Sequence, residues 1–134
     1  MKKIVAVLLL ILVILVSFPL LRGGGHTSHY KALGFVHSNT SDSAYMSFYR
    51  LEGTMVFKVN GARSESGQIA YSARLESGSA TVWWEQNGTK SELFSIGPGE
   101  EFRAEGGALG KGTAYILVET DGPCQNGEFR FDLR

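Results

Sequence analysis

The sequence predicts an all-β domain behind one N-terminal apolar helix, and three observations predict it. Beyond Arg22 the chain breaks into short stretches that alternate apolar and polar residues with period two, the mark of half-buried strands. Glycine-bearing turn signals separate these stretches at intervals of about 8–12 residues. No stretch beyond Arg22 sustains a helical period with caps.

The first element is the apolar run 4–21, preceded by Lys2 and Lys3 and broken in polarity only by Ser17. As a helix it spans about 27 Å, close to the thickness of a bilayer's hydrocarbon core. Leu20-Leu21-Arg22 follows Pro19 where a cleaved signal carries a small-residue site, so residues 1–22 read as an uncleaved signal-anchor. Cleavage after Gly25 is the alternative, and the absence of a cysteine near the end of the run excludes a lipoprotein anchor. Lys2 and Lys3 hold the amino end inside, which places the rest of the chain outside the cell membrane, tethered by a single pass, or secreted if the segment is cleaved.

Residues 23–43 are expected to be a flexible spacer, since they begin Gly23-Gly24-Gly25-His26-Thr27-Ser28 and stay mostly polar. Residues 44–134 are expected to be the folded domain. Its strands are predicted at 45–51, 54–60, 68–75, 79–86, 89–96, 100–105, 113–120 and 128–134. The third sets Ile69, Tyr71, Ala73 and Leu75 against Ala70, Ser72 and Arg74, and the last sets Phe129, Phe131 and Leu133 against Arg130, Asp132 and Arg134. Asn87-Gly88 is a two-residue hairpin signal, and Gly97-Pro98-Gly99 a turn. Asp121-Gly122 and Asn126-Gly127 are expected to bracket the connection between the last two strands, which read as a pair. Short connections imply antiparallel neighbours. The expected architecture is an antiparallel β-sandwich of seven to eight strands, jelly-roll or immunoglobulin-like, with a closed barrel as runner-up.

Composition excludes several functions. The chain has 13 basic and 13 acidic residues, but Lys2, Lys3 and Arg22 precede every acid, leaving the domain 10 basic against 13 acidic. A mildly acidic domain without a basic stripe is no nucleic-acid binder. All three histidines, His26, His29 and His37, precede residue 44, so the strand region lacks the usual catalytic base for a Ser or Cys nucleophile. Gly106-Gly107-Ala108-Leu109-Gly110-Lys111-Gly112 departs from a phosphate loop, with Glu105 and Gly112 where Gly and Ser or Thr belong. Glu100 and Glu101, adjacent on a strand, point apart. Glu119 and Asp121 read as turn residues. These patterns call for no enzyme activity, cofactor or metal ion. The single cysteine, Cys124, reads as a buried unpaired thiol that packs as a small hydrophobe.

Both tryptophans lie in Ala80-Thr81-Val82-Trp83-Trp84-Glu85-Gln86-Asn87-Gly88-Thr89. Alternation from Ala80 and Val82 puts Trp84 in the core and Trp83 outside. Trp83 is the candidate ligand-binding residue, through stacking on a sugar ring, and packing against Tyr115 or Leu117 is the alternative.

Leu75-Glu76-Ser77-Gly78-Ser79-Ala80-Thr81-Val82, the glycine-rich loop, Tyr115-Ile116-Leu117-Val118-Glu119-Thr120-Asp121-Gly122 and Asn126-Gly127-Glu128-Phe129-Arg130-Phe131 resemble small secreted or membrane-anchored β-sandwich proteins of Gram-positive bacteria. The resemblance covers roughly residues 45–134 and implies a fold and a location, with no activity attached. The expected function is therefore a membrane-tethered binding or accessory module for an envelope glycan or protein. The alternative is a purely structural subunit that pairs through an edge strand.

Overall fold

The computed structural model describes residues 27–107 and 109–134. The expected anchor, 4–21, lies outside them, and among the described residues no helix is long and apolar enough to cross a membrane. The strands are β1 (His29–Leu33), β2 (Val36–Asn39), β3 (Ser43–Asn60), β4 (Ile69–Gln86), β5 (Thr89–Ile96), β6 (Glu100–Gly106) and β7 (Thr113–Leu133), with one 3₁₀ turn at Gly61–Arg63.

The strands form one antiparallel sheet in the order β1-β3-β7-β4-β5, to which β2 adds on β3 and β6 on β4. The sheet folds on itself because β3, β4 and β7 are 18, 18 and 21 residues long and each bends midway. The first layer runs from β2 through the first half of β3, the second half of β7 and the first half of β4 to β6. The second layer joins the other halves of β3, β7 and β4 to β5. Aromatic rings close the space between the layers: Phe57 lies 6.3 Å from Phe131, and Phe94 lies 4.9 Å from Phe102. The expected antiparallel β-sandwich is the observed fold, and its strands change layers at bends.

Glycines make those bends. Gly53, Gly78 and Gly122 have φ of 125°, 89° and 78°, in the left-handed half of the map that side chains disfavour. Pairing slips between Leu51 and Thr54 and between Ser77 and Ser79. Two side chains take up backbone groups that the slips release. Thr120 Oγ1 accepts from the Gly53 N–H at 2.7 Å and donates to the Gly53 carbonyl at 3.2 Å, while Cys124 Sγ donates to the Ser79 carbonyl at 3.2 Å. Pro123 brings no N–H to this crowded point.

Three expectations change here. The predicted strands 45–51 and 54–60 are one strand, as are 68–75 and 79–86. The predicted final pair, 113–120 and 128–134, is also a single strand, β7, and its halves pair with β3 and β4 in different layers. One residue at positive φ bends a strand without reversing it, so these glycines turn the chain between layers rather than back on itself. Within the expected spacer 23–43, β1 and β2 add to the edge of β3. The hairpin expectation holds: Asn87 (φ 54°) and Gly88 (φ 76°) form the tight β4–β5 turn.

The core follows the alternation. Ala80, Val82 and Trp84 are buried beside Met46, Phe57, Ile69, Phe94, Ile116, Phe129 and Phe131. Buried Gln86 holds the glycine-rich loop, donating from Nε2 to the Gly110 carbonyl at 2.9 Å and accepting at Oε1 from the Gly110 N–H at 3.0 Å. That loop is thereby stapled to the end of β4.

Cys124 is free and fully buried. Burial pushes its thiol pKa up, opposed by the hydrogen bond to Ser79 and aided by the Asp121 charge. Because the folded thiol holds its proton longer than the unfolded one, its contribution to stability is whole below the ordinary cysteine value. It is lost as pH climbs through the raised folded value. We expect an aromatic disulfide reagent at pH 8 to react slowly with the native chain and at once in denaturant; fast native labelling would show that the bend opens readily.

Candidate functional site

A strand with one face on the core sends every second side chain to solvent, so the outer face of the first layer is set by three alternating series. β4 contributes Ala70, Ser72 and Arg74; β6 contributes Glu101, Arg103 and Glu105; β7 contributes Glu128, Arg130 and Asp132, with Arg134 directly after its end. The register sets Ala70 between Asp132 and Glu105, and Ser72 between Arg130 and Arg103. Small side chains on the middle strand between long ones on its neighbours leave a trough.

The trough has a volume of about 600 Å³, with Ala70 and Ser72 as floor and Arg103, Arg130, Asp132 and Arg134 among its walls. A second hollow of about 320 Å³ continues it along the strands, sharing Ser72, Arg103 and Glu128. Its β7 wall is braced from β3: Tyr45 Oη donates to Glu128 Oε2 at 3.1 Å, and the Arg130 guanidinium lies 4.7 Å from the Tyr45 ring centroid. Arg74 lies 3.9 Å from Glu128, and Arg134 lies 3.8 Å from Glu105. Among the described residues, Arg103 and Asp132 make no side-chain ion pair or hydrogen bond with the protein. They face each other obliquely across the small floor residues, a free guanidinium and a free carboxylate.

This arrangement presents donors and acceptors in alternation along an open channel. It suits a linear ligand with many hydroxyl groups, whose oxygens accept from guanidinium and donate to carboxylate.

The structure places Trp83 on the outer face of the other layer, half-buried opposite Leu117. Leu117 is 5% exposed although it lies outside the main core cluster, and Val56 faces it from β3. Lys90 Nζ stands 4.7 Å from the Trp83 ring centroid and 3.6 Å from Glu119 Oε1. The indole N–H is buried and has no hydrogen-bond partner among the described residues. A bulge on β5 skips Leu93 between Val82 and Trp83, and β4 keeps its alternation, so Trp84 is core and Trp83 is outside as the sequence predicts. Trp83 and the trough lie on opposite outer faces of the sandwich.

The trough residues escape sequence reading because they come from strands that are not neighbours in the chain. The usable signals are the two small outward residues Ala70 and Ser72 and the outward charge series 128, 130, 132 and 134. Nothing in the chain order says that β4 lies between β6 and β7.

No family model and no curated protein matches this chain. Solved structures that overlap it include a point variant of CBM29-2, a family 29 carbohydrate-binding module, at 16% identity, covering 82% of this chain and 74% of that one with a TM-score of 0.43. Another CBM29-2 variant, solved with mannohexaose, overlaps at 15% identity, 82% and 79% coverage and a TM-score of 0.41. A cupin-2 domain protein from Shewanella frigidimarina overlaps at 10% identity, 78% and 83% coverage and a TM-score of 0.36. None of these overlaps assigns a role to a residue of this chain.

Proposed function

We propose that this domain is a non-catalytic binding module, held on the outer side of the cell membrane by residues 4–21, and that its trough takes a segment of a hydroxyl-rich envelope polymer. The observation that carries the reading is the small-floored trough between β6 and β7, with Arg103 and Asp132 left unpaired beside Ala70 and Ser72. Unpaired charges at an open surface cost the fold little, and they bond a ligand without first breaking an internal pair. The two paired arginines brace the walls, which limits the ordering cost of binding.

The test is binding of the purified chain to a glycan array and to isolated envelope fractions. Ser72→Trp fills the trough from its floor on the solvent side and is expected to abolish binding with an unchanged circular-dichroism spectrum. Arg103→Ala removes one charge-assisted contact, worth about 1.5–3 kcal/mol, and is expected to weaken binding about 10- to 100-fold. Trp83→Ala is expected to leave it unchanged. Loss of binding in Trp83→Ala alone would move the site to the Trp83 face and refute the trough. A chain that binds no glycan but crosslinks in membranes to one protein partner would favour the edge-strand subunit instead.

A further inference from the structure

All four large apolar side chains exposed among the described residues gather at one corner of the sandwich. Tyr30 (39%), Leu33 (59%), Val36 (61%) and Tyr49 (58%) belong to β1, β2 and the part of β3 beside them. Leu33 ends β1 and Val36 begins β2, with Gly34 at φ 58° turning the chain between them; a β-carbon there would stand 3.1 Å from Tyr49 Cβ. Phe35 in the same turn packs at 5.1 Å on Tyr30 and 4.9 Å on His37. Such a cluster on a small domain marks a contact surface.

The chain says what that surface meets. The apolar run ends at Leu21, and the eight residues 22–29 separate it from Tyr30. Even fully extended, that link reaches only about 30 Å, and β1 pins its far end to β3. We propose that the β1–β2 corner rests on the bilayer from which the anchor emerges, with Leu33 and Val36 entering the interface and Tyr30 and Tyr49 at headgroup level. Tyrosines are favoured at that depth because the ring is apolar and the hydroxyl is wet. Lys31 and Arg50 flank the corner and, with Arg22 directly after the apolar run in the sequence, suit anionic headgroups, with Glu52 opposite Lys31 the one acid in the β1 pairing. β2 is the edge of the first layer opposite β6, so the corner stands at the far edge of the sheet from the trough's β6 wall. The inference rests on residues 4–21 being an uncleaved anchor.

The test uses the full chain in nanodiscs of phosphatidylcholine and phosphatidylglycerol. Single nitroxides are placed through Leu33→Cys, Val36→Cys and, in the far loop, Lys111→Cys, with labelling kept brief because buried Cys124 is expected to react slowly in the folded chain. Labels at 33 and 36 are expected to collide more with oxygen than with a water-soluble nickel chelate, and the label at 111 to do the reverse. Labels at 33 and 36 as open to nickel as that at 111, in a chain that resists alkaline carbonate extraction, would overturn the docking and leave the anchor standing. Release of the chain by carbonate would overturn the anchor, and the docking with it. Shielding from both reagents, with spin–spin broadening between copies, would mean that a second chain covers the corner and would also overturn the proposal.

Discussion

Replacing Gly78 with alanine is expected to cost about 2–6 kcal/mol of stability, from strain at positive φ and from overpacking at about 1–3 kcal/mol each. Gly78 sits at φ 89° where β4 changes layers. A β-carbon added there would stand 2.6 Å from the Pro123 carbonyl oxygen and 2.8 Å from both Cys124 Cα and Sγ. Two of those atoms are backbone of β7, so relief requires the two bent strands to separate where Cys124 bonds Ser79. For a domain whose whole stability is about 5–15 kcal/mol, that is a large fraction. Gly122→Ala is the control: its φ is 78°, but apart from its chain neighbours no described residue lies within 4 Å of the added carbon. It is expected to cost only the conformational part, about 1–2 kcal/mol. Urea unfolding of both variants measures the difference, and equal losses would mean that the close approach of β4 to β7 contributes nothing.

These bends also show where the sequence stops being legible. Alternation in β4 and β7 correctly sorts core from surface because a strand's side-chain period does not depend on what it pairs with. Trp84, Phe129 and Phe131 are found that way, and so is the hairpin at Asn87-Gly88, whose backbone demands positive φ at both positions. Whether Gly53, Gly78 or Gly122 reverses the chain or merely bends it depends on neighbouring strands that come from elsewhere in the sequence. β1 and β2 were illegible for a different reason: eight of the nine side chains of His29–Leu33 and Val36–Asn39 are exposed, and only Ala32 is even partly covered. An edge addition with little buried on it leaves no alternation to read. The trough needed the strand order β7-β4-β6, which long-range packing decides.

That packing is centred on Phe94, and Phe94→Ala is expected to cost about 3–5 kcal/mol, as for other buried phenylalanines. Phe94 is the residue of β5 whose ring meets three strands of the opposite layer. It stacks at 4.7 Å on Tyr71 of β4, meets Phe102 of β6 edge-on at 4.9 Å, and lies 6.4 Å from Phe129 and 6.3 Å from Phe131 of β7. Each favourable ring pair adds about 0.5–1.5 kcal/mol beyond the buried area, so Phe94→Leu, which keeps most of the volume, is expected to lose the smaller part. The position of this cluster matters more than its size. Tyr71 lies between Ala70 and Ser72, the floor of the trough, and Phe102 precedes Arg103 on its wall. Phe94 therefore supports from inside the three strands whose outer residues form the trough. In Phe94→Leu, amide hydrogen exchange is expected to quicken in 69–75, 100–106 and 128–133 more than in 54–60, and ligand affinity to fall although no residue touching the ligand has changed. Uniform quickening across both layers would show instead that Phe94 stabilises the sandwich as a whole, with no particular hold on the trough.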